Sequence, residues 1–146
     1  DEKLVLEVLE KCHLSHLKDR LLNRLSGGEM QRALVARAMA QQAPIMLLDE
    51  PLSNLDIGHK FEIMDILSEL NRTQMVTILI IIHDFSFAMQ YTDSALLLKN
   101  GKLHSGGKTK ELLVPHIIKD VFELGDEFFV DTLGNVSKKT NFEPFK

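Results

Sequence analysis

Apolar side chains recur every three or four residues in the amino-terminal part of the chain, which is the spacing of one face of an α-helix. The first stretch contains Leu4, Val5, Val8 and Leu9. The second, "LSGGEMQRALVARAMA" from Leu25 to Ala40, contains Met30, Ala33, Leu34 and Ala38. We therefore predict two helices and expect the second to bury the face formed by those four residues.

Two continuous apolar runs follow, and each has the length and composition of a strand buried on both faces. They are "IMLLDEP", which comes just after Pro44, and "VTILIII". Asp56 is placed to cap a helix between them, whose apolar side is formed by Ile57, Phe61, Met64, Leu67 and Leu70. This order predicts a strand, helix, strand unit with parallel strands, and hence an α/β fold.

The carboxyl-terminal part predicts shorter elements. A helix from Phe85 to Tyr91 precedes the strand "SALLLK", and Asn100-Gly101 is a typical hairpin turn before "KLHSGG". Two short helical segments and a weakly patterned tail from Gly125 complete the chain. We see no internal repeat.

Composition excludes several classes of protein. The net charge of -4 and the absence of a dense basic run give no electrostatic basis for binding nucleic acid or an anionic membrane surface. Cys12 is the single cysteine, and "CHLSH" does not have zinc-site spacing, so a solvated helix end is expected there. The longest apolar run is too short to span a bilayer, and a cytosolic protein is expected. Because the chain begins at Asp1 within a helical pattern, we interpret its start as a cut.

The start of the second helix contains two glycines. Ser26 and Glu29 form a capping box, but a capping box does not require Gly27 and Gly28, which disfavour a helix by roughly 1 kcal/mol each relative to alanine. A helix start with free N–H groups, no Cβ and a serine hydroxyl is suited to a phosphate or carboxylate. The alternative is a capped helix after a flexible loop.

Acidic and imidazole side chains follow the two predicted parallel strands. Asp49 and Glu50 end the first strand and His83 ends the second, so all three are expected in one crevice at the carboxyl edge of the sheet. One carboxylate could hold Mg²⁺ and the next could act on an attacking water molecule. The alternatives are solvated acids and a hydrogen-bonded histidine, with Asp56 and Asp84 as helix N-caps.

The order of these features resembles the ATP-binding cassette (ABC) ATPases. "LSGGE", "LLDEP", "SNLD" and His83 occur in that family's sequence and spacing up to about Gly125. The resemblance makes Leu25 to Glu29 the signature motif and Ile45 to Asp49 the Walker B strand, with Asp49 on Mg²⁺. It makes Glu50 the catalytic carboxylate, Ser53 to Asp56 the D-loop and His83 the switch histidine.

The resemblance also implies cofactors and partners. The signature residues, Ser26, Gly27, Gly28 and Glu29, would face ATP held by a second ATPase subunit in a head-to-tail dimer, and Asp56 would lie near the same nucleotide. A membrane-spanning permease would hold the subunit at the cytoplasmic face of the membrane. "LDIGHKFEIMDILSELN" and "LLVPHIIKDVFEL" are most similar to importers of siderophores, haem or cobalamin, which suggests import of an iron chelate.

The chain departs from the family in lacking a Walker A loop and a glutamine loop. In the nearest string, "GKLHSGGKT", the second glycine falls one residue late, and Lys108 is interpreted as a solvated turn residue. We therefore expect a partial P-loop core: residues 1–43 from the helical subdomain, 44–124 from the ATPase core and 125–146 as a tail. This portion is predicted to be inactive alone. The alternative is a non-catalytic interaction or regulatory module derived from such an ATPase.

The missing half would also leave "VTILIII" with an unpaired edge, because in P-loop ATPases of this type that strand is central. We expect either pairing of residues 76–82 between copies of the chain or covering of the edge by the carboxyl-terminal tail.

Overall fold

The structure is a computed structural model that describes residues 1–132 and 135–138. The chain forms two compact units, Asp1–Ile82 and His83–Lys146. The predicted division into residues 1–43, 44–124 and 125–146 stays a prediction.

The first unit contains three helices and two strands. These are α1 (Glu2–Lys11), α2 (Gly27–Met39), β1 (Ile45–Asp49), α3 (Ile57–Gln74) and β2 (Thr77–Ile81), with 3₁₀ turns at Ser15–Leu17 and Leu22–Arg24. β1 and β2 are parallel, in a register that runs from Ile45 opposite Thr77 to Asp49 opposite Ile81. The predicted strand, helix, strand unit is confirmed.

The prediction that both strands are buried on two faces is wrong. Met46 is buried, but on the opposite face Leu47 is 71% and Leu79 is 54% exposed. The cause is the size of the sheet: β1 and β2 are its only strands among the described residues. Side chains alternate across a strand, so every second residue of this pair faces away from the buried side.

The buried faces of the helices also differ from expectation. On α2 the buried residues are Gly28, Arg32, Val35, Ala36 and Met39. Leu34, predicted to be on the buried face, is exposed, and Met30, Ala33 and Ala38 are only partly buried. The face is rotated because Arg32 turns inward to pair with Glu62 of α3. On α3, Met64, Leu67 and Leu70 are buried as predicted, whereas Ile57 and Phe61 are exposed.

Cys12 is fully buried at the end of α1, so the expectation of a solvated helix end is wrong at this residue. Its thiol donates to the sulfur atom of Met39 over 3.6 Å, which ties α1 to α2. Among residues 1–132 and 135–138, no cluster of three His, Cys, Asp or Glu side chains could hold a metal ion.

The described residues of the second unit form three short helices and four strands: α4 (Phe85–Tyr91), β3 (Ser94–Lys99), β4 (Lys102–Lys108), α5 (Thr109–Leu112), α6 (Pro115–Val121), β5 (Phe128–Val130) and β6 (Val136–Lys138). The β3–β4 hairpin turns at Asn100 and Gly101, both with positive φ, as predicted. The hydrophobic core of the second unit is formed by Leu97, Leu112, Leu113, Ile118, Val121 and Val130.

The tail from Gly125 contains the antiparallel pair β5–β6, which its weak pattern did not predict. Residues 133–134 and 139–146 lie outside the described residues, and with them part of the tail that was expected to cover the edge of β2. No described helix combines the length and hydropathy needed to cross a membrane.

Candidate functional site

The start of α2 is closed by the predicted capping box. The Glu29 amide donates to Ser26 Oγ at 3.3 Å, and the Ser26 amide donates to a Glu29 carboxylate oxygen at 2.7 Å. The hydrogen bonds from Ser26 lower the pKa of Glu29, so this carboxylate is charged at neutral pH. The capping box therefore satisfies two backbone donors at the end of the helix that would approach an anion.

The two glycines of α2 have different surroundings. A Cβ atom added to Gly27 would have no heavy atom within 4 Å, whereas one added to Gly28 would lie 2.5 Å from Cδ2 of His59. Gly27 leaves the first turn open, and its amide has no carbonyl partner within the helix. Gly28 instead admits the imidazole of α3. The sequence indicated that both positions need a bare backbone but gave no signal of the packing at Gly28.

The carboxyl end of β1 carries Asp49 and Glu50, both exposed. Glu50 has a φ of 45°, in the left-handed region that non-glycine residues seldom adopt. Ser53 holds this turn, because its hydroxyl donates to the Glu50 carboxylate at 2.8 Å and its amide donates to the Glu50 carbonyl at 3.1 Å. A strained backbone that neighbours fix in place is frequent at functional sites. Ser53 as the partner of Glu50 was not anticipated.

Asp56 is the N-cap of α3, as the simpler interpretation required. One carboxylate oxygen accepts from the His59 amide at 3.0 Å, and the other lies 2.7 Å from Nδ1 of the His59 ring. These hydrogen bonds from His59 lower the pKa of Asp56. The proposed nucleotide contact of Asp56 stays a prediction.

His83 begins the second unit, directly before Asp84. Asp84 caps α4 by accepting from the amides of Ser86 and Phe87, as predicted for a helix N-cap. Lys108 ends β4 with its side chain exposed and 3.6 Å from Glu111, which agrees with a solvated residue. The predicted convergence of His83 with Asp49 and Glu50 stays a prediction.

The residues present fit parts of sites for Mg²⁺ and for a nucleotide phosphate. Mg²⁺ in phosphate sites is usually held by one or two carboxylates together with phosphate oxygens and water, and the exposed Asp49 could supply one carboxylate. The open first turn at Gly27, beside the hydroxyl of Ser26, could donate to a phosphate oxygen. Among the described residues, no group of three His, Cys, Asp or Glu side chains could hold the metal ion, so further ligands would have to come from phosphate oxygens and water.

Residues 1–53 match the family model described as "ABC transporter". The chain is 40% identical to the petrobactin import ATP-binding protein FpuC of Bacillus anthracis over 88% of this chain and 47% of that protein. It is 37% identical to the ferric enterobactin transport ATP-binding protein FepC of Escherichia coli, over 85% of this chain and 46% of that protein. It is 36% identical to the iron(3+)-hydroxamate import ATP-binding protein FhuC of Bacillus subtilis, over 92% of this chain and 50% of that protein. The chain thus spans about half the length of these relatives.

Solved structures share the fold. A metal-chelate type ABC transporter in an inward-facing conformation matches with a TM-score of 0.79 and 30% identity, over 84% of this chain and 48% of that chain. The ADP conformation of the cassette MJ1267 matches with a TM-score of 0.73 and 27% identity, over 84% and 50%. The predicted α/β fold is confirmed.

Proposed function

We infer that the chain supplies the signature and Walker B portion of an ABC transporter ATPase. By its motifs, fold and relatives, the chain belongs to these ATPases. The observation that carries this proposal is the placement of the motifs. "LSGGE" forms a capped helix start that is open at Gly27, and "LLDEP" puts Asp49 and Glu50 at the end of a parallel strand. Both are suitable positions for binding phosphate and metal.

In this proposal, Glu50 is the general base. Its carboxylate is exposed and oriented by the Ser53 hydroxyl at the carboxyl end of β1, a position from which a carboxylate could accept a proton from water. Asp49 would hold Mg²⁺, which neutralises charge on the phosphates when bound. His83 would contact a γ-phosphate, the role that the resemblance implies for it.

The signature residues serve the opposite nucleotide. Ser26 and the amides of Gly27 and Gly28 would donate to ATP held by a second ATPase subunit, with Glu29 as the capping partner that keeps the turn in place. Asp56 would lie near the shared site through its position at the start of α3.

For the whole protein we propose ATP-driven import of an iron chelate. The names of the relatives, which include transport proteins for ferric enterobactin, petrobactin and iron(3+)-hydroxamate, support this substrate class. The partners would be a second ATPase subunit and a permease that holds the protein at the cytoplasmic face of the cell membrane. The relatives are ATP-binding subunits, so they do not favour the alternative of a non-catalytic module.

A chimera tests the proposal. Residues 1–124 would replace the matching half of the Escherichia coli relative, which retains its own Walker A loop. We expect ATP hydrolysis, and a loss of about 100-fold or more in the Glu50→Gln chimera with nucleotide binding retained, since the amide keeps the shape and loses the base. Glu69→Gln, an exposed position on α3, is the control. Equal hydrolysis by the Glu50→Gln and control chimeras would contradict the proposal.

A further inference from the structure

His59 contacts Asp56 on one side and Gly28 on the other, two residues that are distant from each other in sequence. Nδ1 of its ring lies 2.7 Å from the Asp56 carboxylate, and its amide donates to the same side chain at 3.0 Å. The other side of the ring faces Gly28, where an added Cβ would lie 2.5 Å from Cδ2 and 2.8 Å from Cγ. The imidazole therefore fills the space between the start of α2 and the residue that caps α3.

Movement of the ring away from Gly28 would change its contact with Asp56. Its Nδ1 is held by Asp56, which in turn is held in place as the N-cap of α3. Because real Cβ atoms do not approach another heavy atom within 3 Å, any side chain at position 28 must displace the ring, the start of α2 or both. The His59 imidazole thus occupies the space that a side chain at position 28 would need.

A second contact follows one turn further along the same two helices. Arg32 lies four residues after Gly28, Glu62 lies three residues after His59, and the two are ion-paired. Residues three or four apart share a helix face, so both contacts belong to one α2–α3 interface. With His59 in place, the helix starts are fixed at two points.

We propose that His59 is a positioning residue that fixes the signature turn at Ser26–Gly28 relative to the D-loop segment that ends at Asp56. The importance of that spacing for catalysis rests on the proposed function, because both segments would face the shared nucleotide. The structural coupling of the two segments, in contrast, rests on the contacts of His59 with Asp56 and Gly28.

The test follows a perturbation from one segment to the other by NMR of the full ¹⁵N-labelled chain without nucleotide. Gly28→Ala should shift the amide signals of Asn54, Leu55 and Asp56, and most of that shift should vanish when the same change is made in the His59→Ala variant. Gly27→Ala is the matched control, since its Cβ enters open space, and should leave those three signals in place.

Three outcomes would overturn this structural coupling: no shift in Gly28→Ala, an equal shift without His59, or an equal shift from Gly27→Ala. If Gly28→Ala unfolds the chain, the double variant Gly28→Ala/His59→Ala decides, because relief of the clash should restore folding and persistent unfolding would contradict the contact.

The functional consequence is measured separately in the chimera. His59→Ala should lower kcat roughly tenfold with little change in KM, since misplaced catalytic segments slow the reaction while nucleotide binding at the Walker A loop persists. His59→Gln, which can keep a donor towards Asp56, should recover part of the rate. An inactive parent chimera would contradict the proposed function and leave the NMR result standing. An active chimera in which His59→Ala leaves kcat unchanged would overturn the positioning role.

Discussion

Arg32 of α2 is ion-paired with Glu62 of α3, and this pair joins the helix that starts at Gly27 to the helix that starts at Ile57. Arg32 is 8% exposed, and its Nε atom is buried without a hydrogen-bond partner among the described residues. The Glu62 side chain is about half exposed. A nearly buried guanidinium is thus paired with a half-exposed carboxylate at the helix interface.

Glu62→Gln is therefore expected to destabilise the chain. The amide removes the charge that pairs with Arg32 in a site with little access to water, which should cost about 1–3 kcal/mol in the free energy of unfolding, since the exposure of Glu62 moderates the penalty. Urea unfolding measures the change. Glu7→Gln, which breaks the exposed Lys3–Glu7 pair at 3.9 Å, should cost less than about 0.5 kcal/mol. Equal losses in both variants would refute the distinction.

Cys12 should react slowly with thiol reagents in the folded chain. Burial raises the pKa of its thiol to about 11, so the reactive thiolate is scarce at pH 8, and the fully buried side chain blocks access. We expect alkylation by iodoacetamide to be about 100-fold or more slower than in urea. As the only cysteine, it gives an unambiguous readout by mass spectrometry. Similar rates in folded and unfolded chain would show that α1 does not pack as described.

Asp56 should stabilise the chain as a carboxylate. Its pKa is lowered by hydrogen bonds from His59, so the stabilisation is complete above the ordinary pKa of an aspartate and is lost as the pH falls through the lower value in the folded chain. Asp56→Ala should lower Tm at about pH 5, and the difference from the unaltered chain should shrink towards about pH 3. Asp19→Ala is an exposed control with little expected effect. A difference independent of pH would contradict the argument.

Local patterns predicted much of the fold. The limits of α4, the turn at Asn100-Gly101 and the cap at Asp56 depend on neighbouring residues, and the structure agrees with each. The capping box of Ser26 and Glu29 is equally local.

Long-range contacts account for the errors and omissions. The buried face of α2 was misplaced because an arginine normally marks the exposed side of a helix, whereas Arg32 is buried and pairs with the distant Glu62. The contact of Gly28 with His59 joins residues of different helices, and nothing near either residue indicates it. Asp56 followed by His59 predicts the cap but not the packing of the ring on α2.

The chain alone is predicted neither to bind Mg-ATP measurably nor to hydrolyse it. Its sequence contains no Walker A loop, and the first turn of α2 offers only a few N–H groups to a phosphate. Calorimetric titration should be flat, whereas the full-length Escherichia coli relative should bind under the same conditions. Micromolar binding by this chain would refute the prediction.

The parallel pair β1–β2 should make the isolated chain self-associate. Leu47 and Leu79 are largely exposed on one face, Ile45 and Ile81 flank them, and these two strands are the whole of their sheet among the described residues. Strands at a sheet edge present unpaired N–H and C=O groups, and β2 has no lysine or proline to prevent pairing with another chain.

Light scattering should therefore show a mass that rises with concentration, and hydrogen exchange should show amides of residues 76–82 becoming protected as it rises. Leu79→Lys should shift the chain towards monomer, because a charge on the apolar face opposes its burial between copies. Ser68→Lys adds the same charge on the exposed side of α3 and should leave the association unchanged. A monomer at every concentration, with freely exchanging β2 amides, would show that this sheet edge does not mediate association.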